Sequence, residues 1–254
     1  MIRTRVIPAL LLKGEGLVKT VNFANPGYIG DPINAVRIFN DKEVHELVLL
    51  DITASQDKRP PRFDILSDIA SECFMPLGYG GGIRTLEQAQ KLFNLGVEKI
   101  IINSYAIENP SFIENLSDIV GSQSVVVSID VKKNFFGKYE TYTYSGSMKT
   151  IWNPINWAQE AERLGAGEII LNSIDRDGTM KGYDIPLIKS VSGSVKIPVV
   201  ACGGAGTVKD FSTAVHDGGA SAIAAGSMFV YYGKYRAVLI NFPDDKELKS
   251  VGLN

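Results

Sequence analysis

The chain carries a repeat about half its own length. MPLGYGGGIRTLEQAQKLFNLGVEKIII runs parallel to IPVVACGGAGTVKDFSTAVHDGGASAIAA. Pro76 matches Pro198 and Gly82 matches Gly204, each pair 122 residues apart. Ser104 and Ser227 stand 123 apart, so one residue entered the second copy. Each copy reads as an apolar strand, a glycine turn, a helix-period segment and a second apolar strand. A repeat spanning several strand–helix units makes the two halves of a fold alike. An open doubly wound sheet has no need of that symmetry, whereas a barrel closed from two half-barrels does.

Short apolar runs recur at 5–11, 46–51, 75–79, 99–103, 124–130, 168–173, 197–202 and 222–226. Several lack polar alternation, as parallel strands covered by helices do. Helix-period stretches such as RTLEQAQKLFNLG and NPINWAQEAERLGA lie between them. In the second, Asn153 suits an N-cap and Pro154 the first helical position. Eight strand–helix units in 254 residues predict an α/β fold, one (β/α)8 TIM barrel filling 1–254 as a single domain.

Composition narrows the function by exclusion. A formal net charge of −2 gives no basic patch for nucleic acid. Two cysteines, Cys73 and Cys202, suit a reducing cytoplasm rather than a disulfide framework. The start, MIRTRVIPALLLKGEG, has a short apolar run broken by Pro8 and no cleavage site, so no signal peptide is expected. No run reaches the ~18 apolar residues of a membrane span. With only His45 and His216, both expected at the surface, no metal site is expected, and no cofactor.

In a barrel of this kind the strand C-termini carry the chemistry. GYGGGI, with Gly81 and Gly82, follows strand 3; CGGAG, with Gly203 and Gly204, follows strand 7. Glycines there let backbone N–H groups approach an anion. Asn103 with Ser104, and Gly226 with Ser227, end the adjacent strands, so two anion sites facing each other point to a substrate phosphorylated at both ends. Asp51 ends strand 2, Asp130 ends strand 5, and Asp175 and Asp177 follow strand 6. Each could act as acid or base or could merely tie down a loop, and Asp130 is the strongest candidate for chemistry. Lys19, in a long loop after strand 1, reads as a mobile phosphate or substrate clamp or as a solvated lysine. Arg5, Glu46, Lys99 and Glu168 start strands 1, 2, 4 and 6. Paired, they would close the barrel's lower mouth; otherwise they are exposed rim charges. A reactive thiol at Cys202 needs exposure that sequence does not give.

One position breaks the symmetry of the halves. Leu10-Leu11-Leu12-Lys13 lies over Ile129-Asp130-Val131-Lys132, so a hydrocarbon stands where the other copy has a carboxylate. The motifs GDP at 30–32, ELVLLDITAS at 46–55, GGGIR at 80–84, GSQSVVVSID at 121–130, GAGEIILNSIDRDGTMKGYD at 165–184 and GGAG at 203–206 run in order through the chain. Together they resemble the cyclase subunit of imidazole glycerol phosphate synthase, HisF. The resemblance implies that ammonia from a glutaminase subunit, HisH, enters at the N-terminal face and crosses the barrel. At the top it would meet a bisphosphorylated ribulosyl formimino substrate. It also implies that the glycine runs with Ser104 and Ser227 hold phosphates. Arg5, Glu46, Lys99 and Glu168 would gate the ammonia entrance, and Asp130 would be one of two catalytic aspartates.

The second aspartate belongs at Leu11. The segment SGSMKTIWN lacks the family's Thr-Gly, PLGYGGG replaces PLTVGGG, and the ending lacks a long final helix. These departures resemble a HisF paralogue branch tied to bacterial surface-glycan clusters. Its members are expected to pass ammonia from a HisH-like glutaminase to a separate amidotransferase that turns an acetamido sugar into an acetamidino one. A histidine-pathway cyclase with an unusual strand 1 is the alternative, and a non-catalytic scaffold that activates the glutaminase is another.

Overall fold

The apolar runs pair in parallel and close on themselves. The computed structural model describes residues 4–253. Its barrel strands are β1 (Arg5–Lys13), β2 (Leu47–Asp51), β3 (Leu77–Gly80), β4 (Lys99–Ile102), β5 (Val125–Lys133), β6 (Glu168–Ser173), β7 (Val199–Cys202) and β8 (Ala222–Ala225). They bond in the order β6-β7-β8-β1-β2-β3-β4-β5, and β5 pairs back with β6. All eight pairings are parallel. The open-sheet alternative is thereby excluded.

Local sequence starts the helices where expected. Asn153 accepts the Asn156 N–H at 2.9 Å, and Pro154 opens the helix Pro154–Arg163. Thr85 and Gln88 form a reciprocal capping box at the start of Leu86–Asn94. Each helix turns an apolar stripe inward, burying Leu92, Trp157, Leu187 or Phe211. Burial of each such side chain contributes ~1.5–3 kcal/mol. Alternation along each strand then separates two apolar layers. Leu10, Leu49, Tyr79, Ile129 and Leu171 face the helices. Ile7, Val48, Ile101, Val126, Ile170 and Val200 fill the barrel interior.

The C-terminal end is more strand-rich than the sequence reading allowed. Instead of a long loop, Gly16–Val21 and Ala24–Gly30 form an antiparallel hairpin that pairs with the end of β1. Tyr139–Thr143 folds back on β5 and pairs in turn with Met148–Lys149. The last helix is short, Asp245–Ser250. Among the described residues no helix is long and apolar enough to cross a membrane. His216 is exposed, but His45 is half-buried. Its Nδ1 accepts the Val6 N–H at 3.2 Å and its ring meets Phe242 edge-on, a contact with distant sequence that the reading could not supply.

Candidate active site

The four charges at the strand starts form one closed circuit. Lys99 Nζ donates to Glu46 at 2.9 Å and to Glu168 at 2.7 Å, while Arg5 donates to the same two carboxylates. Glu46 and Glu168 are buried, so these are not exposed rim pairs. Burial alone would lower the Arg5 pKa, but the bonds and charges of Glu168 and Glu46 outweigh it and raise it. Two cations and two anions leave the ring neutral, which is how charge survives away from water.

At the other end the same alternation brings Leu11, Asn103, Asp130 and Asn172 to a cavity of about 140 Å³. Asp51, Gly81, Ser104, Asp177, Gly203, Gly204, Gly226 and Ser227 also line it, as does Lys19. Leu11 lies beside Leu50 in register, so one wall is hydrocarbon. On β5, Asp130 accepts Asn103 Nδ2 at 2.9 Å. Its neighbour in register on β6 is Asn172. Burial, then the charge of Asp177, push the Asp130 pKa up to about 7, while bonds from Asn172 and Asn103 oppose the shift. Asp130 therefore exchanges a proton near neutrality, where general acid–base groups work best.

Lys19 is neither solvated nor on a loop. It sits in the hairpin strand Gly16–Val21, buried, with Nζ donating to the Ala9 carbonyl at 3.0 Å. Burial lowers its pKa, and the charge of Asp177 partly opposes that shift. Gly226 makes this seat: a Cβ there would collide with the Lys19 ammonium. At the opposite side, Gly82 has φ +72°, and a Cβ would strike the Arg59 carbonyl. Only glycine suits that turn.

The remaining carboxylates divide. Asp51 is committed to its own loop, accepting from Arg59 Nη2 at 2.7 Å and from the Thr53 and Ala54 N–H groups at 3.1 Å. That is the loop-organising alternative, because a ligand finds these oxygens already bonded. Asp177 accepts from Thr20 at 2.8 Å and fastens the hairpin that carries Lys19. Asp175 does not reach the cavity; it turns outward and accepts the Lys133 N–H at 2.8 Å. Cys202 lines the mouth, but burial and then the charge of Asp177 push its thiol up to about 12, so it carries no thiolate at neutral pH.

The divergent segment after β5 crosses the mouth. Tyr144, Ser145 and Gly146 lie consecutively in the left-handed region, with φ of 51°, 54° and 80°. Tyr144 N–H donates to Ser104 Oγ at 2.9 Å, and Ser145 Oγ to the Ile52 carbonyl at 2.7 Å. Two non-glycine residues held there store strain beside Ser104. Sequence reasoning missed this contact and also Asn172. The signal for Asn172 is strand parity with Glu168, one of the charges that, if paired, would close the lower mouth.

A family model described as histidine biosynthesis protein matches residues 5–236. The chain belongs to this family. It is 53% identical over 248 residues to a Pseudomonas aeruginosa protein named "Putative imidazole glycerol phosphate synthase subunit hisF2", covering 98% of this chain and 99% of the relative. A Vibrio vulnificus protein, "Putative imidazole glycerol phosphate synthase subunit hisF3", is 50% identical over 98% and 96% of the two chains. Identity to "Imidazole glycerol phosphate synthase subunit HisF" of Alkaliphilus metalliredigens is 45%, over 91% and 92%. The chain is thus a HisF-like barrel, similar both to relatives carrying the plain HisF name and to the numbered hisF2 and hisF3 proteins.

In this HisF-like barrel the raised Asp130 pKa has a measurable consequence for stability. The native pKa of about 7 lies above the ~3.9 of an unfolded aspartate, so the native state holds the proton longer. Stability contributed at this position is therefore lost as pH rises from ~4 to ~7, by up to about 4 kcal/mol. Asp130→Asn removes the titration. Its melting temperature should rise relative to wild type across that window and stay ahead above it. Parallel pH profiles for the two proteins would rule out the buried, raised carboxylate.

Proposed function

We propose that this HisF-like chain is the ammonia-conducting subunit of a glutamine-dependent amidotransferase complex. A HisH-like glutaminase docks at the N-terminal face and releases ammonia beside the Arg5–Glu46–Lys99–Glu168 ring. Neutral ammonia crosses the apolar interior, which charged ammonium enters only at a large desolvation cost. It emerges at the Asp130 mouth and passes to a separate amidotransferase acting on an acetamido sugar of a bacterial surface glycan. There a nucleoside triphosphate bound by that third protein would phosphorylate the amide oxygen, the ammonia nitrogen would bond to the amide carbon, and the oxygen would leave as inorganic phosphate. Gly81, Gly82 and Ser104, with Gly203, Gly204 and Ser227, hold an anionic ligand over the exit.

The observation that carries this reading is the pairing of Asp130 with Leu11 in one cavity. Asp130 faces hydrocarbon at position 11, while Asp51 and Asp177 are already bonded to Arg59 and Thr20 at the cavity's edge. A cyclisation that uses two aspartates loses one catalyst here; delivery of ammonia loses nothing. Reconstitution tests the reading. The chain should co-elute with its cognate glutaminase and stimulate glutamine hydrolysis. A pair that neither co-elutes nor shows stimulation overturns it, and stimulation with no passage of ammonia through the barrel favours the scaffold instead.

A further inference from the structure

Past the barrel, β5 runs on into a hairpin whose tip carries two bare phenylalanines. Phe135 is 98% exposed and Phe136 83%. Their rings meet edge to face at 5.6 Å, and neither belongs to the core. The tip is nevertheless built rather than loose. Asn134 Oδ1 accepts the N–H groups of Phe136 at 2.9 Å and Lys138 at 3.0 Å, and the Asn134 N–H donates to the Lys138 carbonyl at 2.9 Å. Gly137, with φ +76°, closes the turn. Apolar surface in water is unfavourable, and this turn holds both rings where the chain cannot bury them.

Charge around the tip has one sign. Residues 131–139 contain Lys132, Lys133 and Lys138 and no carboxylate. Lys132 and Lys138 are exposed and, among the described residues, form no ion pair. Lys133 is engaged by Asp184 at 3.2 Å. Glu140, the next acid along the chain, is already bonded to Asn134 and Lys149, each at 2.7 Å.

A second hairpin repeats the pattern. Tyr231–Tyr232 pairs with Ala237–Val238, and between them Tyr235 is 85% exposed with Lys234 Nζ 4.8 Å from its ring centre. Residues 226–243 also contain no acid. Both hairpins are pinned to the turn after β6. Asp175 accepts the Lys133 N–H at 2.8 Å, and the Gly178 carbonyl accepts Arg236 Nη2 at 2.9 Å. Three residues span at most ~11 Å, so the two pins share one sector of the rim.

An apolar apex backed by lysines has the layering of an anionic bilayer surface. Hydrocarbon receives the rings, anionic head groups meet the ammonium groups, and the lysine stems cross between them. A protein partner matches less well, because protein interfaces are depleted in lysine and bury a continuous patch rather than separate convex tips. We infer that the Asn134–Lys138 tip, with the Tyr235 hairpin beside it, is a reversible anchor for an anionic membrane surface. It brings one side of the C-terminal rim to the bilayer. The anchor uses none of the residues along the ammonia path, so either can fail without the other.

The test is co-sedimentation of the full chain with vesicles of phosphatidylcholine containing about one-third phosphatidylglycerol, and with vesicles of phosphatidylcholine alone. The chain should pellet with the anionic vesicles, and less so as salt rises. Phe135→Ser with Phe136→Ser should weaken partition about a hundredfold, since each buried ring is worth roughly tenfold or more. Lys132→Gln with Lys138→Gln should weaken it about twenty-five-fold, roughly fivefold for each charge. All four side chains are exposed, so both variants keep the fold. Stimulation of the glutaminase should be equal in all three proteins, which separates the anchor from the conducting role. No partition into anionic vesicles, or partition unchanged in either variant, overturns the anchor. A chain that ignores vesicles but holds its amidotransferase through Phe135 and Phe136 also overturns it, and assigns the tip to a protein.

Discussion

Given its glutaminase and the formimino substrate of the histidine cyclases, the wild-type chain is expected to turn over at no more than about a hundredth of the rate of a two-aspartate enzyme. One general acid–base group contributes roughly 10²–10⁴-fold, and Leu11 can neither give nor take a proton. The same chain should fail to rescue a cell that lacks the cyclase. Leu11→Asp places a carboxylate in the cavity that Asp130 lines, at a half-buried position where the new charge keeps some water. It should raise turnover if the rest of the mouth still fits the substrate. If it does not, the strained turn at Tyr144–Gly146 and the Asn172 amide have also changed what the mouth accepts. Fast cyclisation by the unmodified protein would restore the histidine-pathway reading.

Removing one charge from the lower ring should have the largest effect on stability. Lys99 is bonded to both buried glutamates, so Lys99→Ala leaves two carboxylates facing the single Arg5 guanidinium. Breaking a buried pair from one side costs ~3–5 kcal/mol, because the orphaned charge stays in place. The urea midpoint should fall accordingly. The double variant Lys99→Met with Glu46→Gln returns the ring to neutrality and should recover most of that loss. If Lys99→Ala instead lies within ~0.5 kcal/mol of wild type, the ring behaves as an exposed surface pair. Recovery in the double variant would separate charge balance from simple packing.

The barrel was legible because its signals are local and repeated. Apolar runs, glycine turns and caps such as Asn153-Pro154 each occupy a few residues, and the half-repeat fixed how many units to expect. Strand parity carried further. Arg5 inside places Ile7, Ala9 and Leu11 inside, and Glu168 inside places Ile170 and Asn172 inside. What stayed hidden depends on partners remote in sequence. Lys19 is buried because Gly226, some two hundred residues away, leaves room for its ammonium. His45 is half-buried because Phe242 packs on it. Asp175 and Asp177 are two residues apart in one turn, yet one bonds Lys133 outside the cavity and the other Thr20 at its edge. No periodicity distinguishes them.

The central claim is that ammonia reaches the Asp130 mouth through the barrel rather than through solvent. It is tested most directly by supplying the assembled chain, glutaminase and amidotransferase with amide-labelled [15N]glutamine in a large excess of unlabelled ammonium. If the barrel conducts, the amidated sugar carries 15N despite the excess. If the product carries the isotope ratio of the bulk ammonium, ammonia has left the protein before reaching its acceptor, and the conducting role is wrong.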